Sequence, residues 1–142
     1  MKYYIAYGSN LNLEQMKDRC PTACPISTGW VQDYELLFRG YPNRAVATIE
    51  PSIGSKVPVL VWGIQQGDEQ RLDRYEGFPS LYRKESLQVQ LNTQETLTAM
   101  LYLINGGHIN SPSLPYYKTI EQGYLENNLD ISYLKQAVQK CL

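Results

Sequence analysis

The sequence predicts an α+β fold with a strongly curved, mostly antiparallel sheet or small β-barrel. Three observations support that class. About six segments carry strand patterns. Helical patterns fall at three separate places. Turn clusters rich in Gly, Pro, Asn and Ser divide the segments from one another.

Lys2–Tyr7 alternates and is rich in aromatic and β-branched residues, which marks a strand, and Gly8-Ser9-Asn10 ends it. Asn12-Leu13-Glu14-Gln15 places Gln at the third helical position after an N-cap residue, a capping-box pattern. Leu13, Met16 and Cys20 continue at helical spacing until Pro21 stops the helix. Gly29–Arg39, Ala45–Glu50 and Val57–Gln66 read as strands, divided by turn clusters at Gly40–Asn43 and Pro51–Lys56. Val59–Trp62 is apolar without interruption, as in a central strand buried on both faces. Asp68 is expected to cap a short helix, Glu69–Tyr75, with Leu72 and Tyr75 facing inward. Gly77 stands where helices commonly end in a left-handed residue. Strands at Tyr82–Leu91 and Thr96–Ile104 follow, joined near Asn92-Thr93. Asn105–Pro115 is the longest irregular stretch. Beyond it, Tyr117, Ile120 and Tyr124 form one helical stripe, and Ile131, Leu134, Val138 and Cys141 another. No repeat, low-complexity tract or linker intervenes, and 142 residues fit one domain spanning 1–142.

Composition excludes several classes of function. An apolar content of 43% is enough for a core and argues against disorder. Thirteen Lys+Arg against fourteen Asp+Glu leave no basic surplus, so neither nucleic acid nor an anionic membrane is expected as a partner. No apolar run approaches the ~20 residues of a membrane span. The opening MKYYIAYGSN lacks the features of a signal peptide, so a cytoplasmic location is expected. Cys20, Cys24 and Cys141 are too few and odd in number for a disulfide framework, and their spacing builds no zinc site. His108, the single histidine, sits in a Gly-Gly-His turn and reads as a solvated loop residue. A two-histidine metal site is therefore excluded, and any Ser/His or Cys/His nucleophile would depend on this residue. A mixed site of Cys20, Cys24, Cys141 and His108 is the one metal arrangement left, and with no phosphate loop or GxGxxG the chemistry of an enzyme would rest on a carboxylate, tyrosines and backbone groups.

Two segments could carry it. Tyr7-Gly8-Ser9-Asn10-Leu11 joins a strand to a helix, and the helix start supplies unpaired N–H groups able to hold a carboxylate or a developing oxyanion. The plainer alternative is a strand-to-helix turn with an Asn cap. Glu76 follows Leu72-Asp73-Arg74-Tyr75 at a helix C-terminus, where the macrodipole disfavours its charge by about 0.3–1 kcal/mol. Partial burial beside Tyr75 and Phe78 would raise its proton affinity further, as a general base near neutral pH requires. Its plainer alternative is an exposed Glu near Arg74. Twelve Tyr against two Phe hint at a polar pocket within an apolar body, with Tyr82, Tyr102 and Tyr117 placed to face inward.

Across essentially the whole chain these residues resemble the gamma-glutamylcyclotransferase superfamily. Tyr4-Ile5-Ala6-Tyr7-Gly8-Ser9-Asn10-Leu11 is similar to that family's signature loop. Val61-Trp62-Gly63-Ile64 with Leu72-Asp73 and Glu76-Gly77 resembles its catalytic segment. Pro112-Ser113, Tyr117, Ile120, Gly123 and Glu126-Asn127 resemble its C-terminal helical segment. The resemblance implies a small β-barrel flanked by helices and a cofactor-free cleavage of a γ-glutamyl amide into 5-oxoproline and a free amine or amino acid. It also implies Glu76 as general acid/base, the Tyr7–Leu11 loop as holder of the glutamyl unit and oxyanion, and Tyr82 and Tyr117 as pocket walls. Tyr116 takes the place of Tyr117 if the alignment slips by one residue.

The implied reaction suits this inventory. The substrate's own α-amine attacks its γ-carbonyl, so no enzyme nucleophile is needed, and holding the reactive conformer contributes about 7–11 kcal/mol. Tyr-Gly-Ser-Asn departs from the loop of the glutathione-degrading branch, which favours γ-glutamyl amino acids or amines as substrates. The leaving group is expected to meet variable loops, including Asn105–Pro115. A non-catalytic module holding a glutamyl-like molecule is the alternative function, and an amide hydrolase using Cys20 or Cys24 is a third. The sequence leaves the oligomeric state open, a homodimer included.

Overall fold

The computed structural model describes residues 1–142. In chain order it contains β1 (Lys2–Ala6), a 3-10 turn (Ser9–Leu11), α1 (Leu13–Arg19), β2 (Cys24–Arg39) and β3 (Val46–Ile64). Then come α2 (Gln66–Glu76), β4 (Tyr82–Leu91), β5 (Thr96–Ile104), α3 (Leu114–Glu126) and α4 (Ile131–Gln139). The strands close a barrel in the order β1-β3-β2-β4-β5. Every pairing is antiparallel except that of β1 with β5, where Tyr4 lies beside Met100. The class is the expected one: α+β, a small barrel with helices around it.

The barrel has five strands where the sequence pattern suggests six. Ala45–Glu50 and Val57–Gln66 belong to one long strand, because the Pro51–Lys56 cluster makes a bulge instead of a chain reversal. Pairing along β2 passes from Gln32↔Lys56 to Tyr34↔Pro51, so Ser52–Ser55 loop out opposite Asp33. Asp33 and Gly54 both take positive φ, 63° and 86°. The Gly54 N–H donates to Asp33 Oδ1 at 3.0 Å, and the Ser52 and Ser55 hydroxyls meet at 2.9 Å. Such a bulge bends and twists a strand, which a long hairpin needs in order to wrap into a small barrel.

Val57–Ile64 is buried at every residue, as its apolar run predicts for a strand flanked by β1 and β2. Ile5, Val31, Phe38, Val57, Val59, Val61 and Leu101 have essentially no exposure and fill the core. Each such burial stabilises the fold by about 1.5–3 kcal/mol. Outside the barrel, α4 lies against β2, with Tyr133 edge-on to Trp30 at 5.3 Å. No helix is long and apolar enough to cross a membrane.

Three helix details differ from expectation. The N-cap of α2 is Gln65, and Asp68 is the third helical residue, whose Oδ2 accepts the Gln65 N–H at 3.0 Å to complete a capping box. Leu72 faces the core, but Tyr75 is 57% exposed; it stands one turn from the buried stripe and at the rim of a cavity. In α1, Asn12 caps as expected, its Oδ1 accepting the Gln15 N–H at 2.9 Å. The Gln15 side chain, however, reaches toward Asn10 Oδ1, so the box is half-formed.

Candidate active site

The loop after β1 is held by its carbonyl oxygens. That of Gly8 accepts the Leu11 N–H at 3.0 Å, and that of Ser9 accepts the Asn12 N–H at 3.1 Å. That of Asn10 takes the buried Trp62 indole N–H at 3.1 Å, and that of Leu11 takes the Asn127 amide at 2.8 Å. The Gly8 N–H meets no acceptor in the chain, and the leading N–H groups of a 3-10 turn, here Ser9 and Asn10, have none within the turn. With the Gly8, Ser9, Asn10 and Leu11 carbonyls engaged, the loop presents donors. Helix α3 clamps its far side through Asn12 Nδ2 on the Thr119 carbonyl and Glu126 on the Leu13 N–H. A Cβ at Gly123 would lie 2.7 Å from Leu11 backbone carbon, so glycine is what lets the helix seat there.

Opposite the loop, α2 ends. Gly77 takes φ +65°, with its N–H on the Arg74 carbonyl at 3.3 Å and the Phe78 N–H on that of Asp73 at 2.9 Å, a Schellman closure. This stops the helix one residue after Glu76 and leaves that side chain in a cavity of about 200 Å³ between helix and loop. Glu76 is partly buried and is the cavity's one carboxyl; no side-chain hydrogen bond holds it. Burial pushes it up to about 7, against the opposing pull of the Arg19 charge.

Tyrosines form the other walls, and Ala47 of β3 ties three of them together. Its N–H donates to the Tyr116 hydroxyl at 2.9 Å, while its carbonyl accepts from Tyr82 at 3.2 Å and faces Tyr7 at 3.5 Å, whose hydroxyl donates chiefly to the Tyr102 carbonyl at 2.5 Å. Tyr102 in turn donates to Asp73 at 2.6 Å, and Asp73 pairs with Lys84 at 2.9 Å. Burial raises the pKa of Tyr4, Tyr7, Tyr82, Tyr102 and Tyr116, so these phenols serve as neutral hydrogen-bonding groups. A tyrosine-lined cavity with fixed dipoles and one titrating carboxyl can move a proton and stabilise a developing oxyanion.

The cavity brings together Tyr7, Gly8, Ser9, Asn10, Glu76 and Tyr82 of the residues expected at a site. Two others lie elsewhere. Leu11 is a fully buried core residue whose N–H is already spent on Gly8, so it offers the cavity neither side chain nor donor. Tyr117 packs outside it, beside Glu121; Tyr116 lines the wall instead, because one residue along a helix rotates the side chain by about 100°. Asn105–Pro115 does not reach the cavity either. It is pinned to β2 and the turn after it by the Gly40 N–H on the His108 carbonyl and the Asn110 N–H on that of Phe38. Arg19 and Tyr4 line the cavity and escaped the sequence reasoning. Tyr4 sits on the inward phase of β1 and accepts from the Asn10 amide at 3.0 Å, which strand alternation could have revealed. Arg19 donates to Asn10 Oδ1 at 3.0 Å and lies 4.6 Å over the Tyr75 ring, contacts between segments that no local pattern announces.

Comparisons with known proteins point to one family. Residues 4–124 match the model of a family described as gamma-glutamyl cyclotransferase, AIG2-like. A gamma-glutamylcyclotransferase from Bos taurus is 34% identical over 144 residues, covering 94% of this chain and 75% of its own. That from Homo sapiens is 31% identical over 138 residues, covering 92% and 73%. A solved structure named gamma-glutamyl cyclotransferase superposes with a TM-score of 0.87 at 29% identity, covering 96% of this chain and 85% of that one. Sequence and architecture converge, and the chain belongs to the gamma-glutamyl cyclotransferase, AIG2-like family.

Proposed function

We propose that this chain is a cyclotransferase, acting as one domain, that cleaves a γ-glutamyl amide into 5-oxoproline and a free amine or amino acid. The observation that carries this reading is the position of Glu76. It is an unpartnered carboxyl, titrating near neutrality, that shares one cavity with the donor-presenting Gly8–Asn10 loop. A cytoplasmic setting, where small γ-glutamyl compounds occur, goes with the reading.

In the mechanism, Glu76 takes a proton from the α-ammonium group of the bound glutamyl unit. The freed amine attacks the γ-carbonyl carbon, closing a five-membered ring, and the carbonyl electrons move onto oxygen. The N–H groups of Gly8, Ser9 and Asn10 face that oxygen. Such donors typically contribute about 3 kcal/mol each to the transition state. The intermediate collapses with its C–N bond breaking, and protonated Glu76 returns a proton to the departing nitrogen. Over the whole reaction the α-nitrogen gives up two protons and the leaving nitrogen gains two, so one shuttling carboxyl serves both ends. A pKa near the working pH suits a group that must both accept and donate. Tyr7, Tyr82 and Tyr116 hold the shape of the cavity through Ala47 and exclude bulk water from the ring closure.

The test is release of 5-oxoproline from γ-glutamyl-alanine by the wild type and by Glu76→Gln. Wild-type turnover, with loss of about 10³-fold or more in the variant, supports the assignment; such losses fit removal of a general acid/base, typically worth about 10²–10⁴-fold. Full activity in the variant would reject it.

A further inference from the structure

Arg19 has no carboxylate partner in the chain. One guanidinium nitrogen donates to Asn10 Oδ1 at 3.0 Å, and the plane lies over the Tyr75 ring at 4.6 Å from its centroid. No other hydrogen bond or ion pair from this side chain is formed. An arginine so held, with one edge fixed and one face stacked, has already given up much of its side-chain freedom. It is pre-organised to grip a planar anion through its remaining N–H groups.

Its position says which anion. Arg19 and Tyr75 line the glutamyl cavity and also form a wall of a second, outer depression, completed by Asp18, Pro21, Arg71 and Arg74. One carboxylate, Asp18, stands there against Arg19, Arg71 and Arg74; Arg71 is drawn toward Asp68 at 3.5 Å, while Arg74 is exposed and forms no ion pair. The outer depression therefore carries a positive excess. In the cyclotransferase reading a glutamyl unit sets its amine at Glu76 and its carbonyl at the Gly8–Asn10 donors in the inner cavity, and the adjoining depression beside Arg19 and Tyr75 is then the space open to the group beyond the scissile bond. We infer that Arg19 is the specificity-determining residue that reads a free carboxylate on the leaving group, so that γ-glutamyl amino acids are turned over in preference to γ-glutamyl amines. The inference rests on the cyclotransferase reading above.

γ-Glutamyl-alanine and γ-glutamyl-ethylamine differ only in the leaving-side carboxylate, and 5-oxoproline release from each gives two values of kcat/KM. Wild type favours the alanine amide by about tenfold or more, the scale of one charge-assisted contact. In Arg19→Gln the ratio falls below about threefold, mainly through KM for the alanine amide. Equal efficiency on the two substrates in the wild type overturns the inference while leaving the cyclotransferase reading intact. An Arg19→Gln variant that slows both by the same factor also overturns it, since that marks a residue holding Asn10 in place. Release of 5-oxoproline from neither amide by the wild type overturns the underlying reading and the inference with it. Should Arg19→Gln show no cooperative melting transition, Arg19→Lys carries the same comparison. Its single ammonium cannot form the planar fork, so its ratio falls between the two; an unchanged ratio overturns the inference.

Discussion

Replacing Glu76 with Gln makes the protein more stable above neutral pH even as it removes activity. The carboxyl is raised from 4.5 to about 7 by burial. Between those values the folded chain keeps a proton that the unfolded chain has released, so stability falls as pH rises through this window and levels off above 7. A shift from 4.5 to about 7 corresponds to about 3 kcal/mol. Partial solvent access at the cavity mouth lowers the expected effect to about 1–3 kcal/mol. The amide does not ionise and escapes the decline. Urea unfolding over a pH series measures this: wild type and variant converge near pH 4, and the variant leads at pH 8. Thermal melting at the upper pH shows the same gain, at about 2–4 °C for each kcal/mol. Parallel pH dependences, or a variant less stable than wild type at pH 8, refute the claim that Glu76 is held at a cost in a desolvated site.

Other substitutions probe the walls and the loop. Gly123→Ala places a methyl 2.7 Å from Leu11 and 2.8 Å from the Asn12 nitrogen. Because those atoms are backbone, it should cost about 1–3 kcal/mol in urea unfolding and lower kcat/KM by displacing the loop. Tyr116→Phe leaves the Ala47 N–H without its partner and should destabilise by about 1–3 kcal/mol, whereas Tyr117→Phe should change 5-oxoproline release by less than about twofold. Trp62→Phe removes the donor to the Asn10 carbonyl; a loss of about 1–3 kcal/mol in stability, with a lower kcat, is expected. The acid limb of kcat/KM in the wild type should fall near pH 7, the value set by burial of Glu76; a limb near 4.5 would mean a solvated carboxylate.

Much of the fold was legible because local chemistry agrees with the final structure. The apolar run Val57–Ile64, the Asn12 cap and the left-handed Gly77 each follow from their own few residues. The fused β3 was not, since Pro51–Lys56 carries the same residues whether the chain reverses or bulges; only the pairing of Asp33 with Gly54 decides. At the site, Glu76 and the Gly8–Asn10 loop lie on contiguous motifs and are readable as such. Arg19 is not, because its role depends on Asn10 and Tyr75 arriving from separate elements. Tyr116 and Tyr117 are adjacent and chemically identical, so sequence pattern cannot choose between them. The helix phase, fixed by Gly123 packing on Leu11, does. Leu11 falls outside the site for a similar reason: its N–H closes the 3-10 turn, a bond that composition does not display.

Turnover of γ-glutamyl-alanine in H₂¹⁸O, followed by mass spectrometry of the glutamyl product, separates self-cyclisation from attack by water. Ring closure by the substrate's amine yields 5-oxoproline with no heavy oxygen incorporated. Glutamate carrying ¹⁸O in its γ-carboxyl would contradict it, because water would then have been the nucleophile.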